Sequence, residues 1–348
     1  MLIVRLSAIG DVINTLPAFF ALRRAWPDAF LGWAVDDRAA GILEDLPGLD
    51  RLHRFPRTGW SRRWRAELLT VAGEALTYAE EIRAQRYDTV VDFQGNAKSA
   101  LHVVLSRAPV RWGFVPGHSR EWSHLATNRR VRPGQEVLNR VVKNFALVAA
   151  LGVSIPERPD PLAISETVRA AADGLLRGAG VAGDFAVLHP GTSRFGAFKR
   201  WPLPRYAEAG RSFHRRTGLP LLITWGPGER WMARAIVAGI GIGAIECPPL
   251  PGLKHLAGVL ARARVVVGSD SAALHLAARV GVPTVGLFGP KDPRVYGPYG
   301  NRLEILRGEV PCSPCPLRTC AYPECMGRID AESVAAKMSA LTGFLENV

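Results

Sequence analysis

Long uncharged apolar runs are missing from this chain. None approaches the ~20 residues that a membrane-spanning helix needs. The N-terminal MLIVRLSAIGD starts apolar but has no basic segment ahead of its short run, so no secretory leader is expected. Cysteine is scarce, five in 348 residues, and four of the five fall together as Cys312, Cys315, Cys320 and Cys325. Their spacing, C-x2-C-x4-C-x4-C, leaves two readings open. One is a metal site, although the long separation between knuckles of common zinc modules is absent. The other is a reduced, redox-labile loop, since a cytoplasmic chain disfavours stable disulfides. Neither GxGxxG nor GxxxxGK[ST] follows a predicted strand, so a dinucleotide enzyme and a P-loop enzyme are both unsupported. No short-period repeat and no low-complexity tract is present. Acidic residues are outnumbered, 31 against 44 Lys and Arg, for a net charge of +13. That excess predicts an anionic partner: nucleic acid, an anionic membrane surface or a phosphorylated substrate. The predominance of arginine favours phosphate and carboxylate recognition.

What is present is ordinary core-forming composition, 48% hydrophobic and 22% charged, with 35 glycines and 26 prolines for many short loops. The length suits two domains. Apolar runs alternate with helical periodicity in both halves. Strands are predicted at 2–6, 31–35, 51–55 and 89–93, and again at 185–188, 221–224, 265–267 and 284–288. Helices are predicted between them, including 12–25, 66–85, 137–151, 204–217, 230–239, 253–262 and a closing one at 331–345. Residues 152–164 carry Pro156, Pro159 and Pro161 and read as a linker. The domains are therefore set at 1–155 and 156–348. Strands alternating with helices imply parallel sheets, hence an α/β chain of two Rossmann-like domains facing a central cleft, the default ligand site.

The most informative segment is VVVGSDSAALHLAARVGVPTVGLFGPKDP, residues 265–293. It reads as a buried strand, a polar turn, a helix and a second buried strand. The turn after a strand's carboxyl end opens onto the ligand crevice, and the helix start suits a phosphate. Asp270 and Ser271 lie in that turn, and His275 lies one helical turn on. Ser269, Asp270 and Ser271 are also all good helix caps, and capping accounts for one of them. A comparable turn, Ser7-Ala8-Ile9-Gly10-Asp11, follows the first strand. Asp11 reads either as a cap or as a carboxylate placed to take a proton. His189-Pro190-Gly191-Thr192-Ser193, followed by Lys199, offers amides, hydroxyls and a cation for a phosphate. The run PRTGWSRRWRAE sets Arg57, Arg62, Arg63 and Arg65 among two tryptophans. It reads as a solvated face or as a grip on an anionic, partly apolar molecule.

Taken together, SAIGDVINTLPA, SRRWR, YDTVVDFQGNAKSA, SREWSHLATNRR, HPGT with FKRWP, and GSDSAALHLAA with LFGPKDP resemble the ADP-heptose:lipopolysaccharide heptosyltransferases, glycosyltransferase family 9. The resemblance runs over nearly the whole chain. SRRWR and SREW…NRR are most similar to the heptosyltransferase I branch, which adds the first heptose to the inner core, whereas CSPCPLRTCAYPECM resembles other branches. The resemblance implies a GT-B fold, with the acceptor on the N-terminal domain and the nucleotide sugar on the C-terminal one. It implies Asp11 as catalytic base. It implies donor contacts from Thr192, Ser193, Lys199, Asp270, Ser271, Ala272 and His275, and more loosely from Glu229. It implies that Arg62, Arg63, Arg65 and Arg120 face a phosphorylated Kdo–lipid A acceptor. Position 272 departs from the family, having Ala272 where glycine is usual; a donor that needs glycine's backbone freedom would be crowded there.

The expected activity is inverting transfer of heptose from ADP-heptose to Kdo, without metal or cofactor, by a cytoplasmic enzyme held on the inner membrane's anionic cytoplasmic face. A related transferase with a later core acceptor or another nucleotide sugar is the alternative within the class. Outside it stands a non-catalytic basic module for RNA or membranes. Asp11 and Asp270 argue against that, because carboxylates repel phosphates, and no RRM or KH signature is present. No nucleic-acid partner is expected.

Overall fold

The structure is a computed structural model and describes residues 1–134, 139–158, 160–317 and 319–343. It divides into two compact units, Met1–Glu157 and Arg158–Val348.

The first unit holds a six-stranded sheet: β1 (Leu2–Val4), β2 (Gly32–Asp36), β3 (Arg51–Phe55), β4 (Thr89–Asp92), β5 (Val110–Phe114) and β6 (Arg129–Val131). Its order is β3-β2-β1-β4-β5-β6 and every pairing is parallel. The second unit repeats the plan with β7 (Ala186–His189), β8 (Leu221–Ile223), β9 (Ala244–Glu246), β10 (Val265–Ser269), β11 (Thr284–Phe288) and β12 (Leu303–Arg307). Here the order is β12-β11-β10-β7-β8-β9, again all parallel. Numbered within its own unit, each sheet has the doubly wound order 3-2-1-4-5-6. Such sheets bind ligands outside the carboxyl ends of the strands where the order reverses. That point lies between β1 and β4 in one unit and between β7 and β10 in the other. Register sets Val4 opposite Asp92, and Gly268 opposite His189.

Central strands covered on both faces need continuous apolar runs, and LIV, AVLH and VVVGS are buried throughout. Leu2, Val4, Tyr78, Ile82 and Val90 pack one core; Leu188, Trp201, Tyr206, Phe213, Val267 and Met338 pack the other.

The structure corrects several element boundaries. The first helix is two, Ile9–Ile13 and Leu16–Ala25, broken at Asn14-Thr15 with Pro17 opening the second. The helix predicted from residue 137 runs Arg140–Ala150; Val137 and Leu138 lie outside the described residues. The closing helix ends at Thr342 with Gly343 in the left-handed region (φ 78°), and residues 344 and 345 lie outside the described residues. Helix Glu166–Gly178, capped by Ser165, was not anticipated. All five cysteines are free thiols, and among the described residues no three His, Cys, Asp or Glu side chains are placed to hold a metal ion. No helix among the described residues is long and apolar enough to cross a membrane.

Candidate functional site

At the first reversal point, two turns are clamped together. The Leu6 and Ser7 amides after β1 donate to Gln94 Oε1 after β4, at 2.7 and 3.1 Å. Gln94 is held in turn, since its amide and that of Gly95 donate to Asp92 Oδ1 at 2.9 and 3.0 Å. Gly95 sits at φ 67°, a conformation glycine takes without steric cost. Asp92 also accepts from the Ser99 hydroxyl at 2.8 Å. Burial pushes the Asp92 carboxyl up, against the pull of these donors and of Arg5.

Asp11 is the third residue of helix Ile9–Ile13, not its cap. Ala8 occupies the cap position with no side chain to offer, and Asp11 Oδ2 reaches back to accept from the Ala8 amide at 3.4 Å. Two guanidinium groups fix the carboxylate. Arg5 Nη2 lies 2.9 Å from Oδ2 and Arg140 Nε lies 3.4 Å from Oδ1. Arg5 is buried and donates its other amino group to the Phe93 carbonyl at 2.5 Å. Lys143 completes the basic surround. It donates to the His118 carbonyl at 2.7 Å and stands 4.3 Å over the Phe114 ring. Burial, with Arg140, Arg5 and Arg120 adding to it, pulls Lys143 down to about 8, against the opposing effect of Asp11. Asp11 is thus a part-exposed carboxylate within a cationic surround, able to take a proton beside a bound anion. Arg5, Gln94, Arg140 and Lys143 were not singled out in the sequence. The only hint was two basic residues, Arg140 and Lys143, at helical spacing in a segment otherwise read for its apolar face.

The predicted basic residues separate. Arg120 is exposed, and its electrostatic effect reaches Lys143. Arg63 is taken up internally: it holds Glu67 at 3.1 Å and Glu74 at 2.6 Å, and these bonds raise its pKa. Arg62 and Arg65 are exposed, with Arg65 stacked on Trp64 at 5.1 Å.

The second reversal point gathers the other predicted residues. Lys199, closing the short 3-10 helix Arg194–Lys199, donates to Asp270 Oδ2 at 2.8 Å and to the Asp270 carbonyl at 2.9 Å. An ammonium has three donors, so one remains for a ligand. His275 Nε2 lies 3.7 Å from Asp270 Oδ1, and its buried Nδ1 has no hydrogen-bond partner among the described residues. Burial alone would push the Asp270 carboxyl up; His275 and Lys199 outweigh it and hold it below the usual range. Ser271 is the cap of helix Ala272–Arg279, accepting from the Leu274 amide at 3.4 Å. The neighbouring first-turn amides have no intrahelical acceptor. Ser269 is fully buried and accepts from the Trp201 amide at 3.3 Å. Ala272 opens the helix without a positive φ, so its methyl group costs no backbone strain.

Beside it, Glu229 Oε1 accepts from the Thr192 amide at 3.1 Å and from Arg200 at 2.8 Å. Arg200 also donates to the Thr192 hydroxyl at 3.1 Å. A Cβ at Gly191 would lie 2.1 Å from Glu229 Oε2, so a larger residue there would displace that carboxylate. Ser193 is exposed beside this network. Thr192, Ser193, Lys199, Glu229, Asp270, Ser271, Ala272 and His275 therefore share the carboxyl ends of β7, β8 and β10. Arg200, which follows Lys199 in FKRWP, ties Thr192 and Glu229 together. The arrangement offers a cation, helix-start amides and hydroxyls to a diphosphate, with carboxylates able to accept from sugar hydroxyls.

The profile of glycosyltransferase family 9 (heptosyltransferase) matches residues 75–326. Lipopolysaccharide heptosyltransferase 1 of Pseudomonas aeruginosa is 31% identical, over 98% of this chain and 97% of its own length. Among solved structures, Escherichia coli heptosyltransferase WaaC with ADP superposes with a TM-score of 0.79 at 27% identity, covering 98% of this chain and 99% of that one. WaaC with ADP-2-deoxy-2-fluoro heptose gives 0.75 at 26%, covering 97% and 98%. The fold is of the GT-B class, two Rossmann-like units each with a parallel six-stranded sheet. The chain belongs to glycosyltransferase family 9, the heptosyltransferases.

Proposed function

We propose that the chain moves heptose from ADP-heptose to the Kdo of Kdo–lipid A, with inversion, in assembly of the lipopolysaccharide inner core. The full-length match to a lipopolysaccharide heptosyltransferase 1 carries this reading, since it spans both reversal points. The chemistry of the two sites supports it.

Asp11 acts as the base. Arg5 and Arg140 hold its carboxylate in place. As the acceptor hydroxyl attacks the anomeric carbon, Asp11 takes its proton; a positioned base contributes ~10²–10⁴-fold. Arg140, Lys143 and Arg120 receive the negative charge of the acceptor. Lys199 and the first-turn amides of helix Ala272–Arg279 stabilise the ADP diphosphate as it departs. Asp270 orients Lys199 and His275, and Glu229, braced by Arg200, accepts from donor hydroxyls. In this reading the positive charge comes from the chain itself and no metal or cofactor takes part. Arg62 and Arg65 attract the phosphorylated acceptor and the anionic cytoplasmic face of the inner membrane, at about 1 kcal/mol per basic residue near such a surface.

Thermal shift with ADP, UDP and GDP tests the donor assignment. A shift with ADP that exceeds the other two supports it. No shift with any of the three points to a binding module without turnover.

A further inference from the structure

One helix in the first unit has an apolar half that buries no side chain among the described residues. In Leu68–Ala84, the buried residues are Tyr78, Ala79 and Ile82, all in the second half. The first half, LLTVAGEALT, buries none of its side chains, and Leu68, Leu69 and Leu76 are 62%, 88% and 64% exposed. A Cβ added at Gly73 would meet nothing within 4 Å. A helix segment this apolar belongs against another apolar phase. Eight of the 16 strongly exposed large hydrophobic side chains of the described residues fall between Trp64 and Leu125. The helices that carry them are neighbours. Leu68–Ala84 packs on Ala97–Leu105, which packs on the single turn Ser123–Ala126. Leu101 and Leu125 are exposed on these neighbouring elements, and Trp122 stands 76% exposed from a left-handed backbone (φ 57°).

The charge pattern selects the occupant. The acidic residues of the apolar half and its lead-in, Glu67 and Glu74, are both bound to Arg63. Arg62 and Arg65 are left exposed beside Trp64, and Lys98 and Arg129 are exposed on the adjoining elements. Leucine and tryptophan bordered by unneutralised basic side chains is the make-up of a helix that lies in a lipid interface.

We infer that the Leu68–Thr77 half-helix, with Trp64, Leu101 and Leu125, inserts into the acyl boundary of an anionic bilayer. This rests on the proposed membrane-borne acceptor and adds apolar insertion to the charge attraction. The lipid-anchored acceptor would then be met at the surface where it resides.

The test is sedimentation with phosphatidylglycerol/phosphatidylethanolamine vesicles at low and high salt, using wild type, L68S/L69S/L76S and R62A/R65A. Salt screens exposed charges but does not weaken apolar burial. Wild type should stay bound in high salt. The serine variant should bind at low salt and lose affinity at high salt by about tenfold or more, which is roughly the effect of burying one leucine. R62A/R65A should weaken mainly at low salt. Gel filtration and melting keep the variants honest as folded monomers. Equal high-salt binding by wild type and the serine variant overturns the inference, as does complete release of wild type by salt. So does a wild-type dimer that the serine variant dissolves without changing vesicle binding. Transfer to an acyl-free Kdo acceptor should be unchanged in L68S/L69S/L76S. Its absence in wild type would sink the transferase reading while leaving the vesicle result to stand separately.

Discussion

Removing the Asp11 carboxylate should separate two effects that the structure joins. As a base, Asp11 is worth ~10²–10⁴-fold in kcat. As an ion-pair partner, it holds the buried Arg5 guanidinium at 2.9 Å and Arg140 at 3.4 Å. Stranding a buried charge costs about 3–5 kcal/mol. Here Arg5 keeps its bond to the Phe93 carbonyl and Asp11 is part-exposed, so roughly 1–3 kcal/mol is expected for Asp11→Ala. For a unit of this size, each kcal/mol lowers Tm by about 2–4 °C. Asp11→Asn keeps the volume and an oxygen for the Ala8 amide and Arg5, so it should lose less stability. Both variants should lose at least ~100-fold in kcat, with donor affinity nearly intact because the donor residues lie in the other unit. Initial rates at saturating substrate, ADP titration and melting curves give the three numbers. If either variant keeps more than about a tenth of wild-type kcat, Asp11 only orders the basic residues around it and is not the base.

Lys199→Ala should weaken ADP binding and lower kcat together, because the ammonium meets the diphosphate in both ground and transition states; unchanged kinetics at subsaturating donor would take Lys199 out of the site. R62A/R65A should raise acceptor KM, more at low salt than at high, while Arg63→Ala should move acceptor KM little, since Arg63 is bound to Glu67 and Glu74; equal effects would show that the three arginines act alike. Asp270 has a lowered carboxyl pKa, so its contribution to stability is full above the unfolded value of ~3.9 and is lost as pH falls through the native one. Urea unfolding should therefore show wild type more stable than Asp270→Asn at pH 6, with the gap closing below about pH 4; a gap independent of pH refutes the assignment. Gly191→Ala should displace Glu229, against which its Cβ would press, and cost about 1–3 kcal/mol with a loss of ADP affinity; wild-type behaviour in both would mean that the turn relaxes freely.

The sequence displayed the central strands because burial on both faces leaves no alternative to apolar runs such as LIV and VVVGS. It hid β5, β6, β9 and β12. VRWGF, RRV, AIE and LEILR are short, charged or only partly buried, as strands at or near a sheet edge are. The candidate donor residues stood out in the sequence because they lie in the segments that follow β7, β8 and β10. The choice among Ser269, Asp270 and Ser271 was not: burial, ion pairing and capping each claim one, and only three-dimensional neighbours distinguish them. Around Asp11 the carboxylate was visible and its partners were not. Arg5, Gln94 and Arg140 come from three separate segments that β1, β4 and helix Arg140–Ala150 bring together. Arg63 shows the converse. It stands in the same basic run as Arg62 and Arg65, but Glu74 lies 11 residues on, and only the fold reveals that it is spoken for.

The central claim, heptosyl transfer with Asp11 as base, is tested most directly by mass spectrometry. Purified enzyme is incubated with ADP-heptose and Kdo–lipid A, with Asp11→Ala run in parallel. The account predicts a product heavier than the acceptor by one heptose, ADP released in equal amount, and almost no product from the variant. Unmodified acceptor with ADP-heptose left intact, or undiminished product from Asp11→Ala, would contradict it.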